Sequence, residues 1–164
     1  MITNYSLIVN ITIMKNIFFL IILCACTSML SAQFVAKMVV DEEIPGICDK
    51  NEVYALFESF KGQDEAKSQF TEDQIEQKLN TDVAFLKENV KYKDKGMISL
   101  IINCNGEVVQ CEMDNKTKSE VLDEQIVAIF KALGPWTAGE LDGKAVDSVL
   151  LFSFEIKKGV LELN

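Results

Sequence analysis

The sequence predicts an α+β domain: a three-stranded mixed sheet with two helices packed on one face. Three observations predict it. Residues 97–113, MISLIINCNGEVVQCEM, hold two apolar runs around Asn105-Gly106, a pair suited to a tight hairpin turn because both central residues tolerate positive φ. Residues 71–90 and 119–133 each carry apolar residues at helical spacing. Residues 146–156 alternate again with the period of a strand.

Residues 1–32 read as a signal segment. Lys15-Asn16 precedes an apolar run, and small residues close it at Ser31-Ala32, the charged, apolar and cleavable pattern of a secretory leader. Three readings stand: cleavage between Ala32 and Gln33, a lipoprotein signal with lipidation at Cys26, and an uncleaved membrane anchor. Each puts the body of the protein outside the cytoplasm, in the periplasm or cell envelope.

Residues 33–70 form a less defined N-terminal segment. Asp41-Glu42-Glu43 and Pro45-Gly46 mark an exposed turn. Val53, Leu56, Phe57 and Phe60 have the spacing of a short helix. The main domain spans 71–158. Thr71 with Gln74 makes a capping box for a helix carrying Ile75, Leu79, Val83, Leu86 and Val90, with a break near Asn80-Thr81. In the hairpin, a two-residue turn sets Ile102 opposite Val109, Leu100 opposite Cys111 and Ile98 opposite Met113, all on one face. Ser119 caps a second helix with the stripe Leu122, Ile126, Ile129, Phe130 and Leu133, stopped by Gly134-Pro135. A polar turn over 138–144 leads to the third strand, where Leu150, Phe152, Phe154 and Ile156 share a face. A helical crossover makes the second and third strands parallel with the first between them. The third strand then forms a sheet edge.

Composition excludes several functions. The chain has no His and no Arg, and from Gln33 onward 15 Lys face 25 acids. That balance argues against nucleic acid, whose phosphates dominate affinity, and against anionic membrane surfaces. The lack of His removes the commonest general base and metal ligand. No spacing matches a zinc, calcium or nucleophile motif. The chain therefore reads as non-catalytic, without cofactor or metal. Asp41-Glu42-Glu43 and Asp114 read as solvated loop acids rather than a cation site, and Asn115-Lys116-Thr117 as a chance sequon.

Cleavage leaves Cys48, Cys104 and Cys111. Cys104 at the turn and Cys111 four strand residues away are separated by roughly 13 Å, beyond the ~7 Å reach of a disulfide. Cys48–Cys104 is the better pair, and Cys111 a buried apolar filler; three unpaired thiols are the alternative.

Residues 86–154 resemble the C-terminal domain of TonB and TonB-like proteins. The resemblance rests on Asn89-Val90-Lys91-Tyr92, Gly96 before the first strand, Asn105-Gly106 in the hairpin, Val121-Leu122-Asp123 in the second helix, Pro135-Trp136-Thr137-Ala138-Gly139, Gly143-Lys144-Ala145-Val146, and Phe152-Ser153-Phe154. Lys93 stands where the family has proline after Tyr, Thr137-Ala138 lacks the proline after Trp, and with two prolines in all the chain has no Pro-rich spacer. The resemblance implies a binding module linked to energy-coupled outer-membrane transport. It would add an extended receptor peptide, a TonB-box segment, to the free edge of the third strand. The residues of that edge are Val146, Ser148, Val149, Leu151, Ser153 and Glu155. The alternative is a structural or assembly module that dimerises or contacts the cell wall. Trp136 has two readings, a ligand anchor and a cap on the core. Ile101, Val108, Val149 and Leu151, on the face away from the helices, make either a partner surface or a seat for residues 33–70.

Overall fold

The computed structural model describes residues 34–39, 43–50 and 52–164. The signal segment, Cys26, Asp41 and Glu42 lie outside the described residues. The chain divides into Met1–Phe34 and Val35–Asn164, and every described strand and helix belongs to the second unit.

Its elements in order are β1 (Ala36–Val39), β2 (Glu52–Ala55), β3 (Gln63–Asp64), β4 (Lys67–Ser68), α1 (Glu72–Asp82), α2 (Ala84–Glu88), β5 (Asp94–Ile102), β6 (Val108–Asn115), α3 (Glu120–Lys131), β7 (Trp136–Thr137), β8 (Gly139–Leu141), β9 (Lys144–Val146), β10 (Ser148–Lys157) and β11 (Val160–Leu163). The fold is α+β, but the main sheet is larger than three strands. It runs β1-β2-β10-β5-β6, with β11 also paired to β10. β5 lies between β6 and β10 and is antiparallel to both, so those two strands are parallel to each other.

The helices begin where their caps place them. Thr71 Oγ1 accepts from Gln74 N–H at 3.3 Å, and Gln74 Oε1 accepts from Thr71 N–H at 2.9 Å, which satisfies two otherwise orphaned donors. Ser119 Oγ accepts from Leu122 N–H at the start of α3. The first helical stretch breaks at Val83, in extended conformation between α1 and α2. The stripes Ile75, Leu79, Val83, Leu86 and Leu122, Ile126, Phe130, Leu133 are buried against Ile98, Leu100, Ile102, Phe154, Ile156 and Leu161 of the sheet. Burial of such side chains supplies the main driving force, about 1.5–3 kcal/mol each.

The short helix expected near Val53–Phe60 is absent. Glu52–Ala55 is β2, antiparallel to β1 and parallel to the start of β10. Val53 and Leu56 are buried as expected, but Phe57 and Phe60 stay about 40% exposed and stack edge-to-face. Pairing along the flank of β10 outweighs weak local helix preference here.

The hairpin turn also differs. Only Gly106 has positive φ, +80°. Its N–H donates to the Asn103 carbonyl, so the turn spans Asn103–Gly106. Asn103 Oδ1 accepts from both Asn105 and Glu107 N–H at 2.9 Å. Leu100 opposes Cys111 and Ile98 opposes Met113 as expected, but Ile102 opposes Val108, and the register shifts there. Val109 is the extra residue. This bulge swaps two expected positions: Val108 packs toward the core, and Val109 turns to the open face beside Gly46.

Candidate functional site

The expected free border of β10 is occupied at both ends. Ser148 and Val149 pair with Tyr54 and Ala55 of β2, and Phe154–Lys157 pair with β11. Val146 belongs to β9, opposite Gly139. Glu155 opposes Glu162 and forms ion pairs with Lys157 at 2.8 Å and Lys95 at 3.6 Å. The Ser153 carbonyl accepts from Asn164 N–H at 3.0 Å. Of the six edge residues, Leu151 and Ser153 have no ladder partner on that side among the described residues, Ser153 only accepting the Asn164 bond. The predicted binding border is thus corrected: the protein's own β2 and β11 occupy it on either side of residues 150–153. β11 is closed in turn by α1, whose Asn80 side chain donates to the Leu161 carbonyl and accepts from Leu161 N–H, both at 2.8 Å. Glu76 accepts from Leu163 N–H at 3.0 Å.

Trp136 is not a surface anchor. It is 6% exposed, lies in β7 against β4, and its ring centre is 6.4 Å from that of Phe152. Its indole N–H has no partner among the described residues.

Cys48 and Cys104 form the expected disulfide, with Cα atoms 6.1 Å apart. Asp147, 2% exposed, sits beside it. Its Oδ2 accepts from Cys48 N–H at 2.8 Å and Asp49 N–H at 2.7 Å, and its Oδ1 accepts from Cys104 N–H at 2.9 Å. Asn103 Nδ2 adds a bond to the Gly46 carbonyl at 2.9 Å. The two sulfurs and the Asp147 carboxylate lie within 4.8 Å of one another, the spacing of a metal site. With the sulfurs bonded to each other, no thiolate is offered, and the three atoms act as a clasp joining residues 46–49, the hairpin tip and the start of β10. Sequence reasoning found the disulfide but missed Asp147, whose only signal is an acid immediately before an apolar strand.

Clasped this way, residues 43–45 wall one side of a groove on the sheet face opposite the helices. Its volume is about 870 Å3, and its floor includes Ile101, Val109, Val149 and Leu151. The expectation that residues 33–70 fold onto this face holds in part. Residues 44–46 cover Val109 and Ile101 is buried, while Leu151 stays 57% exposed and Met38 42% exposed.

The long strand left bare is β6, at the end of the sheet. The backbone alternation identifies which of its groups face outward. Asn103 N–H donates to the Glu107 carbonyl, so odd-numbered β5 residues direct their polar groups toward β6. Gln110 and Glu112, opposite Ile101 and Ser99, are therefore spent on β5. Cys111 and Met113 direct their N–H and C=O away from the sheet. Register shifts bracket the regular run, at Val109 and at Asp114. Gln110, Glu112 and Asp114 line the open face, while Cys111 and Met113 point to the helix side, whose hollow Glu112 also borders. A second hollow of about 560 Å3 lies there between β6 and α3, lined by Cys111, Met113, Thr117, Asp123 and Val127 among others. Cys111 is buried and unpaired. Burial pushes its thiol up to about 11, against a small opposing pull from Lys131, so it is held neutral at physiological pH.

Comparison with known proteins adds no assignment: no family model, no curated protein and no solved structure matches this chain.

Proposed function

We propose that this protein is a non-catalytic, extracytoplasmic binding module that takes an extended peptide by strand addition along β6. The observation that carries the reading is the bare run Gln110–Met113, with the Cys111 and Met113 backbone groups directed outward at the end of the main sheet. Each added residue pair recovers hydrogen bonds that water otherwise satisfies, and side-chain hollows on both faces give selectivity. The Cys48–Cys104 disulfide supports an oxidising compartment such as the periplasm, where such bonds persist. The resemblance of residues 86–154 to TonB C-terminal domains supports peptide addition as the mode, with a receptor's TonB-box segment as the peptide class. The edge that serves it is β6 instead of β10.

The test uses a peptide library displayed on phage and selected against the disulfide-intact protein, followed by hydrogen exchange with the best synthetic peptide. The expected result is slowed exchange at the Cys111 and Met113 amides. Failure to enrich any peptide overturns the reading. So does a tight dimer in sedimentation that already protects those amides, which would favour an assembly module.

A further inference from the structure

We infer that the β6 edge selects a strand in which cationic and aliphatic residues alternate. This rests on the strand-addition reading and adds the chemistry of the partner. The two faces of an added strand meet different surroundings. On the open face, its side chains lie beside Gln110 and Glu112 at the ~5 Å spacing of neighbouring strands, with Asp114 at the register shift just beyond. Glu112 accepts a hydrogen bond from Gln110 at 2.7 Å. Neither Glu112 nor Asp114 has an ion-pair partner among the described residues, whereas Glu43 across the groove is paired with Lys50 and Lys37 with Glu52. The row therefore offers two uncompensated carboxylates to Lys or Arg.

On the helix face, alternate side chains point into the hollow over Cys111, Met113 and Val127. Cys111, Met113 and Val127 give it an apolar part beside Thr117 and the buried Asp123, and about 560 Å3 holds more than one aliphatic side chain. Glu120 and Glu124 line its rim, which adds negative potential. Lys116 and Lys118 also line it, beyond the end of the strand. Lys118 lies 3.7 Å from Asp94, while Lys116 follows the last residue of β6, Asn115, outside the regular run Gln110–Met113.

The same charges disfavour some registers of a second copy of the chain at this edge. In an antiparallel self-pairing centred on Glu112 or Met113, carboxylates fall directly opposite one another, which destabilises a ladder. A period-two peptide that is apolar below and cationic above meets no such conflict.

The test titrates the isotope-labelled protein with three synthetic octapeptides: alternating valine–lysine, valine–serine and valine–glutamate. Amide shifts at Cys111 and Met113 report the site. At low salt the lysine peptide should bind about tenfold tighter than the glutamate peptide, from two charge pairs of modest strength. The gap should shrink in high salt. The surface double variant E112K/D114K, with its fold checked by circular dichroism, should reverse the order. Equal affinity of all three peptides, with shifts still at Cys111 and Met113, overturns charge selection and leaves strand addition standing. No binding by any of them overturns both. Shifts confined to Ile101 and Val149 overturn the placement at this edge.

Discussion

The two flanks of the β5-centred sheet are built by opposite means. On one side, β10 is closed by segments from both ends of the described chain. β2 pairs with its start, β11 with its end, and α1 side chains seal β11. Near its start the disulfide, Asp147 and Asn103 pin three segments together within a few residues. On the other side, β6 is held by β5 and by α3 packing beneath it, and its outer backbone faces nothing among the described residues. The contrast teaches that strand exposure here is not a matter of order in the chain. The last long strand is interior, and the middle one is the edge. Pairing and cross-linking are concentrated where the chain closes on itself, and backbone groups are left without a strand partner where it does not.

The largest effect should come from breaking the closed flank. The double variant C48S/C104S removes a cross-link between residues 56 apart. On a chain-entropy basis it should cost about 4 kcal/mol, read as a lower midpoint in guanidinium unfolding with a somewhat steeper slope, because the unfolded chain expands. An unchanged midpoint would show that the hydrogen bonds of the clasp suffice alone. The variant D147A should cost about 3 kcal/mol, because three backbone donors lose a charged acceptor in a buried setting. That corresponds to a loss of roughly 10 °C in Tm. The two changes share partners, so their sum should exceed the effect of combining them. Strict additivity in denaturation of the triple variant would refute a single clasp.

Two glycines refine the comparison. Gly106 and Gly143 have nearly the same left-handed backbone, φ +80° and +75°. A Cβ on Gly106 would sit 2.1 Å from the Trp136 carbonyl oxygen, whereas one on Gly143 meets nothing within 4 Å. Both variants to Ala should lose the left-handed preference, about 1 kcal/mol. G106A should lose about 2 kcal/mol more, because the hairpin tip can no longer dock on residue 136. Equal losses in thermal unfolding would mean that this docking contributes nothing.

Much of this architecture was legible. The capping box at Thr71–Gln74, the Ser119 cap, the pairs Leu100–Cys111 and Ile98–Met113, and the Cys48–Cys104 bond all follow from local chemistry or simple reach. The rest depended on distant partners. Val53 and Leu56, three apart, fit a helix stripe as well as a strand leading into a loop, and only the flank of β10 decides between them. The Asn-Gly pair promises a two-residue turn, but Asn103 captures the Asn105 and Glu107 amides with its side chain and moves the turn one step back. The two-residue turns with both φ positive occur instead at Asp142-Gly143 and Lys158-Gly159. The second has Lys in the left-handed position, a residue that gives no turn signal, so β11 and the closure it provides were hidden. The identity of the bare edge was hidden with it.

The smallest effect should come from the bare flank, and its smallness is the point. Glu112 and Asp114 are exposed, take part in no ion pair among the described residues, and line the open-face groove. Surface changes of this kind usually lie within about 0.5 kcal/mol of neutral. E112K/D114K should therefore unfold within that margin of the parent protein in guanidinium. Reducing a net charge of −9 by four units should, if anything, stabilise slightly by easing self-repulsion. A loss comparable to that of D147A would mean that β6 is supported through its open face. The acids would then be part of the fold rather than available to a partner, and the distinction between a flank that holds the molecule together and a flank that is kept open would fail.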